Sequence, residues 1–205
     1  MQDELDKIFS KPTRRDYAGA RKGRIDITIH SDGVWSYRGS PILRHEMVKL
    51  FASQLFFDEG NYYIRAPEQT LRISVEDLPF LVVSLDTLND GANQQLLVRT
   101  NCDDQFKVDE AHPLKQLAKP AAGERRVASS SKASAASRTA TVSSADSTTA
   151  PELLPAVLVR DGLYARFNRN SYYQLVDHAE VGALAGQEQQ LFIRSCGVNF
   201  PLGSC

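Results

Sequence analysis

Long apolar runs are missing from this 205-residue chain. No uncharged apolar stretch reaches the ~18 residues that a membrane-crossing helix needs, so none is expected. The opening MQDELDKIF is acidic and has no apolar core, so it does not read as a secretory signal. Net charge is nearly absent: 24 Lys+Arg stand against 25 Asp+Glu, a balance of −1. General nucleic-acid binders are normally basic, so nucleic acid is not an expected partner. Cysteine is scarce. Cys102, Cys196 and Cys205 are odd in number and form no CxxC, which fits unpaired thiols in a reducing cytoplasm.

Catalytic signatures are lacking too. There is no GxSxG, P-loop or GxGxxG. His45-Glu46-Met47-Val48 opens like HExxH, but Lys49 stands where the second histidine would be. His30, His45, His112 and His178 are scattered, and no motif frames any of them. Asp86–Gly91 lacks the spaced oxygens and distal Glu of an EF-hand. Asp103-Asp104 could share a metal with Glu76-Asp77, although loop acids are ordinarily solvated. Neither enzymatic activity nor a cofactor is therefore expected. What is present is ordinary: 42% apolar and 24% charged residues describe a soluble globular chain.

The composition shifts sharply at 119–151. That segment holds nine Ala, eight Ser and four Thr, with Val127 and Val142 as its only larger aliphatics. Such a stretch cannot bury enough apolar surface to offset the entropy of ordering it, so 118–152 reads as a disordered linker. Residues 119–151 carry a charge of +3 against −4 for the rest. Residues 1–24 read as a short helix around Leu5, Ile8 and Phe9 followed by a basic arm. The arm holds Lys11, Arg14, Arg15, Arg21, Lys22 and Arg24, either touching phosphate or simply solvated.

A first domain is expected over 25–117. Ile25, Ile27 and Ile29 alternate with polar residues, Ser31-Asp32-Gly33 turns, and Val34–Tyr37 returns, so 25–38 is a hairpin. Ser40 and Pro41 look like the N-cap and first residue of a helix over 41–56, with Met47, Phe51 and Leu55 on one face. Asp58–Asn61 ends it, and strands follow near 62–66, 71–76, 80–86 and 95–100. A second domain is expected over 153–205. It has a strand from Val157, an Asp161-Gly162 turn, a return at 163–167, and a helix over 171–181 capped by Asn170. Strands near 190–194 and 198–202 complete it. Both domains open with an aliphatic strand, an Asp-Gly turn, an aromatic strand and a helix. A diverged duplication accounts for this, as does the frequency of Asp-Gly hairpins alone. The fold class is therefore α+β and β-rich, with two related hairpin–helix halves.

Trp35-Ser36-Tyr37-Arg38 places two aromatics and an arginine ahead of the expected helix start. Arginine forks and helix N-termini attract phosphate or carboxylate, and aromatic faces stack on planar rings. The second half offers Tyr164, Arg166, Asn168 and Arg169 at the matching place. Two such units facing each other would line a cleft for an anionic, partly aromatic ligand; the alternative is a packed hairpin with solvated arginines. Arg99–Asp104 ends a strand in hydrogen-bonding residues, which suits a ligand edge or a turn cap.

Asp32-Gly33, Trp35, Tyr37–Ile42, Leu50-Phe51, Tyr63, Val75–Asp77 and Pro79-Phe80 together resemble the bacterial domain-of-unknown-function family numbered twelve eighty-five. Thr100-Asn101, His112–Leu114, Gly162-Leu163, Asn168-Arg169, Tyr172-Tyr173 and Phe200–Leu202 extend the likeness over 25–117 and 155–203. The resemblance implies a compact β-rich fold of two related domains, the second like a pleckstrin-homology domain. It also implies a nucleotide-like ligand between them, in signal transduction. The Ala/Ser/Thr insertion and Asn170, where the family often has Pro, depart from its pattern. The reading is thus a cytoplasmic ligand-binding protein. Arg38, Arg44, Asn168 and Arg169 contact anionic or polar groups, Trp35, Tyr37 and Tyr173 wall the cleft, and Asn101 completes it. The alternative is a protein-interaction adaptor using the pleckstrin-like half and the linker.

Overall fold

The computed structural model describes residues 21–67, 69–89, 91–120, 152–184 and 187–204. The first half runs β1 (Arg21–Ile29), β2 (Trp35–Tyr37), β3 (Ser40–Pro41), α1 (His45–Ser53), β4 (Leu55–Asp58), β5 (Asn61–Ala66) and β6 (Gln69–Val75). These strands form one sheet in the order β3-β2-β1-β6-β5-β4. Next come β7 (Phe80–Leu88), a 3₁₀ turn at Gly91–Asn93, β8 (Gln95–Thr100), β9 (Gln105–Lys107) and β10 (Leu114–Ala118). The chain continues with β11 (Leu153–Arg160), β12 (Leu163–Phe167) and α2 (Arg169–Asp177), then β13 (Glu180–Leu184), β14 (Gln187–Ser195) and β15 (Val198–Ser204). The second sheet is ordered β10-β11-β12-β7-β8-β9, and the third β13-β14-β15.

The first hairpin forms as its alternation predicts. Its register pairs Ile27 with Tyr37 and Ile29 with Trp35, so all four side chains share one face. Each is almost fully buried. The amphipathic helix α1 covers that face with Met47, Val48, Phe51 and Ala52, and the Trp35 and Phe51 rings lie 6.4 Å apart. Burying a side chain of this size stabilises by roughly 1.5–3 kcal/mol, so this face anchors the first half. The core continues without a break into the second sheet through Phe80, Val82, Val98 and Leu163.

Several expectations need correction. Ser40-Pro41 does not start a helix. Arg38 and Gly39 both adopt positive φ, 50° and 76°, which is the geometry of a two-residue hairpin turn. That turn returns the chain as β3 beside β2, and α1 starts only at His45. Leu55, expected at the end of the helix, opens β4, and Glu59-Gly60 is a second turn of the same kind. The second helix is capped by Asn168 rather than Asn170: the Asn168 Oδ1 accepts from the Ser171 N–H at 2.8 Å. It ends at Asp177, and the expected tail of that helix enters β13.

The division at 25–117 and 153–205 does not follow the sheets. β7 lies parallel to β12, and β10 is antiparallel to β11. Residues on both sides of 118–152 therefore build one sheet, and the break between sheets falls between Val75 and Phe80. Ala118 belongs to β10, while 121–151 lies outside the described residues. Residues 1–20 of the expected helix and arm also lie outside them; Arg21, Lys22 and Arg24 are part of β1. Both halves contain a hairpin followed by a helix, yet the hairpins join their sheets through opposite strands. The first attaches by its leading strand β1 to β6, the second by its trailing strand β12 to β7.

Candidate functional site

The two halves meet along a polar seam. The tip of the first hairpin rests on the start of β7 and the end of β8, with Asn101 between them. Its Oδ1 accepts from the Leu81 N–H at 3.0 Å, and its Nδ2 donates to the Gly33 carbonyl at 3.1 Å. The Asn101 N–H donates to the Leu81 carbonyl, and the Asn168 N–H donates to the Val82 carbonyl. The two asparagines thus flank β7 at consecutive residues. Gly33 sits at φ +84°, and a β-carbon there would lie 2.9 Å from Asn101 Nδ2. Only glycine fits that approach.

Beside Asn101, residues 102–104 face α1. Asp103, itself at φ 65°, bonds His45 Nε2 at 3.0 Å and lies 3.2 Å from Lys49 Nζ. These two partners, His45 first, hold the Asp103 carboxyl below its ordinary value, and Asp103 in turn raises Lys49. Asp104 accepts from Arg160 Nη1 at 3.0 Å, and Arg160 Nη2 donates to the Ala52 carbonyl at 2.7 Å. The Arg160 guanidinium also lies 4.9 Å from the centre of the Phe80 ring. Cys102 is buried among these charges. Desolvation above all, helped by Asp104, pushes its thiol up to about 12, which suppresses the nucleophilic thiolate.

The structure separates the residues singled out from the sequence. Trp35 and Tyr37 are 2% and 3% exposed and belong to the core, not to a cleft wall. Their alternation with Ser36 turns both rings toward α1. Arg38 sits in the β2–β3 turn with its guanidinium 5.0 Å from the Tyr37 ring centre. Arg44 precedes α1, next to the His45–Asp103 contact. Asn101 is at the seam and Asn168 caps α2 in the second half, and both side chains are committed to backbone partners. Arg169 and Tyr173 lie in the first turns of α2, with the guanidinium 5.8 Å from a ring that is 55% exposed. Asn101 thus lies where the first half meets the second and Arg44 precedes α1 on the first half, while Asn168, Arg169 and Tyr173 open α2 on the second half, and Trp35 and Tyr37 belong to the core.

Arg166 is also committed. Its Nε and Nη2 donate to the two Asp77 oxygens at 2.9 and 2.8 Å, and its Nη1 donates to the Leu117 and Leu154 carbonyls. Asp103, Asp104 and Asp77 therefore serve separate cations. Among the described residues no group of three or more His, Cys, Asp or Glu side chains is arranged to hold a metal. No helix among them is long and apolar enough to cross a membrane.

Sequence reading missed two constellations. Arg160 gave no local signal, because its partners lie on distant elements. His30, Ser36 and Glu76 form a second: His30 Nδ1 lies 2.9 Å from Glu76 Oε1, and His30 Nε2 lies 2.9 Å from Ser36 Oγ. The register of the hairpin brings Ser36 beside His30, and that much could have been read from the sequence; Glu76 could not.

Two β-rich halves, fastened by a buried Arg–Asp fork and a polar seam, define a two-domain α+β protein. The chain belongs to the DUF1285 family. The family's N-terminal domain, a domain of unknown function, matches residues 12–78, and its C-terminal domain, from proteins of unknown function, matches 79–129 and 131–202. The boundary at 78/79 falls in the gap between the first two sheets. A DUF1285 family protein from Silicibacter pomeroyi DSS-3 is similar over 98% of this chain and 93% of its own, with 29% identity and a TM-score of 0.72. A DUF1285 family protein from Shewanella baltica OS155 is 21% identical over 74% of this chain and 90% of its own, with a TM-score of 0.47. No curated protein matches the chain.

Proposed function

We propose that the protein binds a nucleotide-like anionic small molecule at the seam between its halves. The observation that carries this reading is the Arg169–Tyr173 pair. An exposed aromatic ring and a guanidinium share the first two turns of a capped helix, whose cap is tied to β7 beside Asn101. The arginine and the helix N-terminus supply positive charge for a phosphate, and the ring offers a stacking face. In this reading Arg44, just ahead of α1, adds positive charge from the first half. In this reading the protein acts in the cytoplasm in signal transduction. Its C-terminal half has a pleckstrin-homology-like character.

Isothermal titration against mononucleotides and cyclic dinucleotides tests it. A binder is expected in this panel, with affinity reduced about tenfold or more in Arg169→Ala. A panel without a binder, or a binder indifferent to Arg169→Ala, would overturn the reading.

A further inference from the structure

The outer face of the first sheet, opposite α1, carries a second constellation with the order of a hydrolytic relay. Glu76 accepts at its carboxylate, so His30 Nδ1 carries the proton of that 2.9 Å bond. In the tautomer with its proton on Nδ1 the ring presents Nε2 as acceptor, and the Ser36 hydroxyl 2.9 Å away donates to it. The competing acceptor, the Thr28 carbonyl, lies at 3.5 Å and is the weaker partner. The Ser31 N–H holds the other Glu76 oxygen at 3.0 Å, which fixes the carboxylate against the ring. Nucleophile, base and orienting acid thus stand in sequence.

The same face supplies charge. Ser36 is directly opposite Thr28, and Thr28 is opposite Ser74 on β6. Arg72 precedes Ser74 by two residues and so shares its face, about 6.8 Å along the strand. Its partner on β1 is Arg24. Both arginines are exposed, and neither joins an ion pair among the described residues. Two like charges side by side on one face repel, and an anionic group lying between them would offset that repulsion.

We propose that Ser36, His30 and Glu76 hydrolyse a carboxylic ester that carries a phosphate or carboxylate group, with Arg24 and Arg72 holding that group. The Ser36 Oγ attacks the ester carbonyl carbon as its proton passes to His30 Nε2. The carbon–oxygen bond to the alcohol breaks, and the alcohol leaves with that proton. Water then attacks the acyl-serine and gives a proton to Nε2, which returns it to Ser36 Oγ as the acid is released. Ser36 is 4% exposed, so the substrate approaches over the imidazole, which is 37% exposed. Glu76 is a positioning residue. This activity does not rest on the ligand site at the seam, and either can fail alone.

The full chain is treated with a fluorophosphonate probe and its intact mass is measured. One adduct is expected, on the peptide containing Ser36. It should be absent in Ser36→Ala and form about 100-fold more slowly in His30→Ala. In Glu76→Gln the pH profile of labelling should shift. With p-nitrophenyl esters, Arg24→Ala and Arg72→Ala should each raise KM for the anionic succinate about tenfold more than for the neutral acetate. No adduct on the wild-type chain, or an unchanged adduct in Ser36→Ala, would overturn the relay whether or not the variants fold. Equal effects on both esters would overturn the role of the two arginines.

Discussion

Arg166 grips Asp77 through two parallel hydrogen bonds, with both side chains about nine-tenths buried. Asp77 belongs to the short connection between the first sheet and the second, and Arg166 to the central strand β12. The remaining guanidinium donor spans β10 and β11 through the Leu117 and Leu154 carbonyls. One side chain therefore fixes the interdomain connection to three strands.

Removing one partner of a buried pair leaves the other charged and unsolvated. Asp77→Ala is expected to cost about 3–5 kcal/mol in urea unfolding. A loss below about 1 kcal/mol would mean that water replaces the carboxylate, as at surface pairs.

At the seam, Asn101→Ala orphans the Leu81 N–H and the Gly33 carbonyl together. The expected loss is about 1–3 kcal/mol. Gly33→Ala should cost about 1–2 kcal/mol from its left-handed backbone alone, and more if Asn101 cannot give way. Adding the two changes should give less than the sum, because they share one contact. Strict additivity in a double-mutant cycle would show that they act separately.

Asp103 has its pKa depressed by His45 and Lys49. A carboxyl with a depressed folded value contributes stability that is present above its unfolded value, near ~4, and is lost as the pH falls through the folded value. Asp103→Asn should therefore melt slightly below wild type at pH ~6, with the gap closing on acidification below ~4. The site is exposed, so the gap should also shrink in salt. A gap that widened toward low pH would contradict this sign.

Burial raises the Cys102 thiol to about 12. At pH ~8 the native protein should resist iodoacetamide at Cys102 and react there once unfolded in urea. Peptide mapping after alkylation reads this directly. Rapid native labelling of Cys102 would show that the seam opens.

The sequence carried the local pieces of this fold better than its long-range ones. Alternation in 25–38 located the first hairpin, and Asp161-Gly162 located the second. Ser40-Pro41 misled because a helix-start signature competes with Arg38-Gly39, whose turn chemistry acts first and sends the chain back as a strand. The ladder also decides the face of Trp35 and Tyr37. Opposite Ile29 and Ile27 they fall on the buried side, a pairing that the hairpin reading already contained. The domain boundary was illegible for a different reason. β7 finds its parallel partner only in β12, beyond the Ala/Ser/Thr segment, and no local pattern announces such a pairing. Asn101 was legible from its polarity at a strand end and Asn168 from its matching place in the second hairpin–helix unit, whereas Glu76, Asp77 and Arg160 act through partners far along the chain.

That crossing of strands over 121–151 has a consequence for the integrity of the molecule. A single backbone cut in this stretch would leave β7–β10 on one fragment and β11–β15 on the other. The fragments would still be bonded through β10–β11, through β7–β12 and through the Arg166–Asp77 fork. The chain is covalently one piece, but its second sheet is assembled as if from two polypeptides. A nicked molecule should migrate as two bands in denaturant and as one species without it.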